Sequence, residues 1–322
     1  MTKPTSIFHL SSERQFAVLF LVALFILLAV LTSRGQQQPG YSQFMWDQLV
    51  INPGYAGTTE SWSARLFYRN QWSGFEGAPQ TQHISIQTPL SNRQFGAGLH
   101  MTHDQLGISE QFSATASAAY HLKMRFARLS FGLNGEYAVQ RMNWSTLHPT
   151  DEGDAELPFA DASVSSPNFG FGLYLHSPKY YVGLAIPKLL ESDLDYSGSE
   201  SLGTADYSLR RHYFLTAGYA YTINPNLILK PGLMTRYVHG APVQVDVNVS
   251  ALINKKIWIG GGYRFGDSAQ LMVQYHLTPY LAVGYAYDFT LTRIQNHFGS
   301  HEVFVGWDMQ RKRDGYDHPR YF

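Results

Sequence analysis

Residues 242–253 read PVQVDVNVSALI. Val243, Val245, Val247, Val249, Ala251 and Ile253 fall on one face, and Gln244, Asp246, Asn248 and Ser250 on the other. A period of two is the signature of a β-strand with unlike faces. The same pattern returns upstream in 129–140. There Leu129, Phe131, Leu133, Tyr137 and Val139 oppose Ser130, Asn134, Glu136 and Gln140. It returns downstream in 281–289, where Val283, Tyr285 and Tyr287 oppose Gly284 and Asp288. No amphipathic helix long enough to organise a core interrupts the series.

About fourteen such segments follow one another, each near the length a tilted membrane strand needs. They span 61–70, 80–89, 94–103, 110–122, 127–140, 167–176, 179–187, 210–222, 226–239, 242–253, 255–264, 268–278, 279–290 and 300–309. Their connections alternate in length. The short set is 90–93, 123–126, 177–178, 223–225, 254 and 278–279; the opposite set holds the long stretches 70–79, 141–166, 188–209 and 291–299. Short periplasmic turns and long extracellular loops sort in this way in an outer-membrane barrel. A soluble sandwich also alternates, with its apolar face inward, but need not sort its loops this way. Mid-strand charges at Glu136, Asp246 and Asp288 suit a polar lumen. Unpaired backbone in hydrocarbon costs several kcal/mol per group, so the sheet must close. The expectation is an all-β protein: a transmembrane antiparallel β-barrel over 61–309.

Composition agrees. Charged residues make up 15% of the chain, below the roughly 25% usual in soluble domains. Tyr (21) and Phe (20) are abundant, as aromatic girdles at both membrane faces require. Lys+Arg and Asp+Glu are both 24, so no basic excess points to nucleic acid. The absence of cysteine excludes disulfides, thiolate metal sites and a lipid anchor on cysteine. At the amino terminus, Lys3 and Arg14 precede an uncharged run from Phe16 to Leu31, and Ser33-Arg34-Gly35 supplies small residues. This is the pattern of a cleavable signal peptide, residues 1–35, with an uncleaved anchor as the rival.

The stretch from Phe44 to Leu90 departs from plain alternation. Asn52-Pro53-Gly54 forces a turn and Gly57 permits unusual backbone. The strand 61–70 follows, then the loop Gln71-Trp72-Ser73-Gly74-Phe75-Glu76-Gly77-Ala78-Pro79. Trp72 and Phe75 are large apolar groups for a turn, fitted either to pack on neighbouring strands or to dock a partner.

Three linked motifs here resemble the PorP/SprF family of type IX secretion system outer-membrane proteins. They are INPGYAG (Asn52, Pro53, Tyr55, Ala56, Gly57), YRNQW (Tyr68, Arg69, Gln71, Trp72) and GFEGAPQTQ (Gly74, Phe75, Gly77, Ala78, Pro79, Thr81), with a strand ending at Pro89 and Leu90. The resemblance reaches His301 and Glu302, which open the last strand, and the terminal Arg320, Tyr321 and Phe322. Gly54 stands where the family pattern has Ala. The resemblance implies a non-enzymatic outer-membrane component of the secretion and gliding machinery. It would link periplasmic ring lipoproteins to exported or surface-adhesin proteins. On this layout residues 36–60 form a periplasmic segment ahead of the barrel, and the basic 310–322 a periplasmic tail that is solvated, docks a partner or partly plugs the lumen. A pore for small or hydrophobic solutes is the alternative, since fourteen strands leave room for a lumen.

No catalytic constellation appears: no G-x-S-x-G, no H-E-x-x-H, no Walker-type glycine loop. A hydrolase site of Ser, His and carboxylate has nothing to bring it together. His297 and His301 straddle a loop-to-strand boundary, where a four-residue spacing loses its helical meaning. The acidic 151–156 with Asp161 suits a solvated loop better than a calcium site. No cofactor or metal is implied.

Overall fold

The computed structural model describes residues 40–59, 61–90, 93–147, 161–194, 207–292 and 298–309. The strands are β1 (Ser63–Asn70), β2 (Gln80–Leu90), β3 (Phe95–Leu106), β4 (Ser109–Lys123), β5 (Arg128–Met142), β6 (Ala162–His176), β7 (Tyr180–Ile186), β8 (Ser192–Leu194), β9 (Tyr207–Leu209), β10 (His212–Tyr219), β11 (Tyr221–Asn224), β12 (Leu227–Val238), β13 (Gln244–Ile253), β14 (Ile257–Arg264), β15 (Ser268–His276), β16 (Leu281–Thr290) and β17 (Ser300–Asp308). Among the described residues β8 and β9 pair only with each other, within the long 187–211 connection.

All other strands form one antiparallel sheet that closes on itself. β1 pairs with β17 from Ser63↔Asp308 to Asn70↔His301. β10 pairs with both β7 and β12. β11 continues β10 along the same partner, β12, after a break at Ala220. β10 and β11 are thus one wall strand, and the wall has 14. The segments read from sequence match these strands, with two differences. The 210–222 segment is broken at Ala220, and β6 begins at Ala162, five residues before the alternation in 167–176 becomes legible. Ser163, Ser165 and Ser166 hide its start, because serine carries little facial contrast.

The faces are reversed relative to a soluble protein. In β13, Asp246 is 2% exposed while Val249 is 53% exposed. In β5, Ser130 is fully buried and Leu133 is 63% exposed. Lipid, not water, covers those outer groups, so exposing them costs nothing in place. Trp62, Tyr120, Tyr219, Tyr280 and Trp307 ring the outer face at the short-turn end, and Tyr68, Tyr137, Tyr237 and Tyr263 ring it towards the long loops. Amphipathic rings settle at these two depths because one edge is apolar and the other wet. No helix among the described residues is long and apolar enough to cross a membrane; the strands cross instead.

The lumen is filled. Tyr41, Phe44, Met45, Trp46 and Ile51 join one buried apolar cluster with Phe67, Phe214, Met234, Trp258, Met272 and Phe304 of the wall. Leu49, Tyr55 and Ala56 join a second with Ala119, Tyr174 and Tyr181. The sequence reading sets 36–60 outside the sheet on the periplasmic side. Residues 40–59 instead run through the barrel. Their apolar side chains have no lipid to face there, and the lumen interior is the dry place open to them.

Candidate functional site

The segment inside the barrel enters beside Arg264, at the long-loop end, where Gly40 meets its guanidinium. It leaves near the short-turn end, where Gly57 meets Gly96 at the start of β3. Two short 3-10 turns, Phe44–Trp46 and Pro53–Tyr55, fold it on the way. Three sets of wall groups hold it.

At the long-loop end a charged clamp grips the backbone. The N–H groups of Ser42 and Gln43 donate to the two carboxylate oxygens of Glu302, each at 2.9 Å. The Gln43 side-chain amide donates back to the Glu302 carbonyl at 3.2 Å. Arg69 bridges the set: its guanidinium lies 2.7 Å from Asp288 and 3.2 Å from Glu302, and also donates to the Ser42 hydroxyl at 2.9 Å. Ser42 in turn donates to Asp288 at 2.6 Å. Glu302, Asp288 and Arg69 are all buried. Charges taken from water are tolerated only when paired and hydrogen-bonded, and here two carboxylates share one guanidinium plus two amide donors. Desolvation offsets much of what such a cluster gains, so its worth lies more in fixing position than in net stability.

In the middle, Asp47 faces the wall. It accepts from Ser85 and lies 3.3 Å from His83 Nε2, while its other oxygen accepts the Leu49 N–H at 3.1 Å. His83 is held in turn by Thr102 at 3.0 Å. Thr216 donates to Gln48 at 3.4 Å. Phe67 and Phe304 meet as tilted rings 5.0 Å apart between centroids, and the Trp46 ring lies 5.7 Å from that of Phe304.

Towards the short-turn end the segment rests on a seat made of glycines. Asn52 caps the second 3-10 turn by accepting the Gly54 N–H at 2.8 Å. Its amide donates to the Leu173 carbonyl of β6 at 2.9 Å. A Cβ at Gly172 would lie 2.0 Å from Asn52 Oδ1; one at Gly132 would lie 2.1 Å from Gly54 N; one at Gly96 would lie 2.1 Å from Ala56 O. Each is far inside contact distance, so only glycine lets the wall come this close to the segment: to its backbone at Gly132 and Gly96, and to the Asn52 side chain at Gly172. Gly57, at φ +70°, makes the final bend, and its N–H donates to Gln87 at 3.0 Å. Tyr55 meets Tyr174 edge-on at 5.3 Å. Ala at 54 would sit 3.1 Å from the Gly172 carbonyl, so the glycine here relaxes a tight place.

Beside the segment, on the long-loop side, a cavity of about 80 Å³ remains, large enough to hold water. Phe44, Ile51, Phe214 and Met234 line it, as does the Lys188–Glu136 ion pair, 2.7 Å.

The remaining motif residues divide between wall and rim. Thr81 faces the lumen and donates to Asp104. Tyr68 and Leu90 face lipid, and Pro89 pairs with Gly96 in the β2–β3 ladder. His301 is on the outer face, 2.6 Å from the Tyr285 hydroxyl, so its neighbour Glu302 alone reaches the clamp. The 71–79 loop is braced at the rim. The Gln71 N–H donates to the Pro79 carbonyl, the Ser73 N–H donates to the Gly299 carbonyl while the Ser73 carbonyl accepts from the Phe298 N–H, the Trp72 N–H donates to the Ser300 hydroxyl, the Ala78 N–H donates to the Phe75 carbonyl, and the Gly77 carbonyl accepts from the Gly107 N–H. A Cβ at Gly74 would strike the Phe298 ring at 2.8 Å. Trp72 is half-buried, whereas Phe75 keeps 49% of its surface exposed. The signal segment, Arg320, Tyr321, Phe322, the tail, His297 and the acidic 151–156 lie outside the described residues. Asp161 accepts a bond from Ser145 N–H. Among the described residues no three His, Cys, Asp or Glu gather as a metal site would require.

Ser42, Gln43, Asp47, Asp288 and the wall glycines were not legible as site residues. Asp47 and Asp288 give the one usable signal, carboxylates amid apolar or aromatic neighbours; the glycines give none, because a clash with a distant backbone leaves no local mark.

Solved barrels of similar shape include a Pseudomonas aeruginosa FadL homologue (12% identity, TM-score 0.49, covering 81% of this chain and 94% of that one). The CymD monoaromatic hydrocarbon channel is also similar (12%, 0.47, 85% and 93%). So is the Acinetobacter baumannii outer membrane protein Omp33 (8%, 0.44, 76% and 95%). No curated protein sequence matches the chain. The family model of the type IX secretion system membrane protein PorP/SprF matches residues 33–307. With that match laid over a closed fourteen-strand barrel, this chain belongs to the PorP/SprF family and is an outer-membrane component of the type IX secretion system.

Proposed function

We propose that the barrel is a non-enzymatic membrane post that links periplasmic ring lipoproteins to exported or surface-anchored proteins. The observation that carries this reading is the occupied lumen. A barrel that spends residues 40–59, eighteen of them buried, on filling its own interior is suited to being gripped at both ends rather than to conducting solute. The charged clamp and glycine seat hold that filling at both ends, which argues against the pore alternative.

Conductance in planar bilayers tests this. The full-length barrel should give no stable channels, and a variant lacking 40–57 should. Stable ion-passing channels from the unmodified protein would reject the post. Ring lipoproteins and exported proteins should co-purify with the barrel from native envelopes. Deleting 310–322 should reduce recovery of the periplasmic partner, and unchanged recovery would reject a docking role for the tail.

The same geometry supports removal of residues 1–35 as a signal peptide. Gly40 lies at the long-loop end, away from the periplasm, where an uncleaved inner-membrane helix could not reach. Mass spectrometry of the mature amino terminus should find a start near Gly35; an intact Met1 would sink the proposal.

A further inference from the structure

The wall is uneven in height. β4, β5 and β6 each run 15 residues, while β7, the next strand, runs 7. The β6–β7 ladder extends only from Phe171↔Ile186 to His176↔Tyr181. Beyond it, towards the long-loop end, β6 continues to Ala162 with β5 as its one partner among the described residues. One more rung is made, Leu189 N–H to the Phe169 carbonyl at 2.7 Å. Then the Asn168 side chain intervenes. It accepts the Leu190 N–H at 3.0 Å, donates to the Leu190 carbonyl at 2.9 Å, and accepts the Phe169 N–H at 2.9 Å. Leu190 is thereby satisfied by a side chain instead of by the next backbone rung, and the chain peels off β6. β8, which follows, pairs with β9 and not with β6.

Residues of an antiparallel strand direct their backbone groups alternately to one neighbour and the other. Phe169 faces the β7 side, so Pro167, Ser165 and Ser163 face it too, and Ser166 and Val164 face β5. The bare edge therefore offers the N–H and C=O of Ser163 and Ser165 and the C=O of Pro167. No bond among the described residues fills them. A row of unpaired backbone groups accepts another strand unless charge or distortion blunts it. Residues 162–168, ASVSSPN, carry no charge, and their side chains are small. Pro167 is the one blunting residue, and it sets where added pairing ends.

We propose that residues 162–167 of β6 are an acceptor edge for one short extended strand of an exported polypeptide, docked through backbone hydrogen bonds at the mouth of the barrel. This rests on the reading that the barrel holds exported proteins, and it names the place.

The test uses the full-length barrel in its native envelope, with a photo-crosslinking amino acid at Ser163 and the proteins secreted by the same machinery as probe. Ser165→Pro removes one edge donor without touching the β5 ladder; Ser165→Ala keeps it. The adduct should map to one contiguous segment of a secreted protein. Its yield should fall about five- to tenfold in Ser165→Pro, as loss of one backbone bond would give, and hold in Ser165→Ala. Heat-modifiable migration of both variants should match wild type, which shows the barrel intact. An adduct that survives Ser165→Pro overturns the inference, as does one to a second copy or to residues 148–160 or 195–206 of this chain. No adduct, with secreted proteins still co-purifying, overturns the edge and leaves the post standing. If no secreted protein co-purifies with the unmodified barrel, the post fails and the edge with it.

Discussion

Gly132→Ala decides whether the interior segment is seated as described, because the two possibilities give opposite signs. Gly132 lies mid-strand in β5. With nothing inside the barrel, Ala there would favour the strand by about 0.5–1 kcal/mol through its smaller conformational freedom. With the segment in place, the new Cβ would lie 2.1 Å from Gly54 N and 2.2 Å from the Pro53 carbonyl carbon. Both are backbone atoms and cannot swing aside as a side-chain end can. One side must move, and overpacking of this kind costs about 1–3 kcal/mol. Gly135, on the same strand, is the control: its Cβ would meet only Phe169, at 3.9 Å. Equilibrium unfolding in urea, with both variants refolded into the same lipid vesicles, measures the difference. Gly132→Ala should lose stability relative to wild type and Gly135→Ala should not. Limited proteolysis should also cut within 40–59 faster in Gly132→Ala, since a displaced segment loses its cover. A Gly132→Ala barrel as stable as the Gly135→Ala one, with the segment still protected, would refute the glycine seat.

Glu302→Ala would leave the Arg69 guanidinium short of one partner and two amide donors bare, and it should cost about 3–5 kcal/mol in the same unfolding assay, the penalty for breaking a buried pair. Asn52→Ala removes the cap on Gly54 and the bond to Leu173; a loss of about 1–3 kcal/mol is expected, and a neutral result would show that the turn holds without it. Leu133→Arg tests the outer face: at a lipid-facing mid-strand site it should destabilise by about 2–4 kcal/mol, whereas on a water-facing surface it would be close to neutral.

The strands, their number and the outward turn of the apolar face were legible in the sequence, because period-two alternation and the sorting of connections are local. Phe44–Gly57 was legible as unusual and as a family motif, but its place was not. The sequence shows Pro53 and Gly57 forcing turns; it cannot show that those turns rest on Gly96, Gly132 and Gly172, three different strands away. Arg69 and Glu302 were legible as motif members, yet the ion pair between them depends on β1 closing against β17. The amino-acid order by itself determined which residues face lipid, since each strand's two faces are written in consecutive positions. Only the closed barrel decided what occupies the space it encloses, because the contacts that hold residues 40–59 join groups up to 260 positions apart and form once the last strand has met the first.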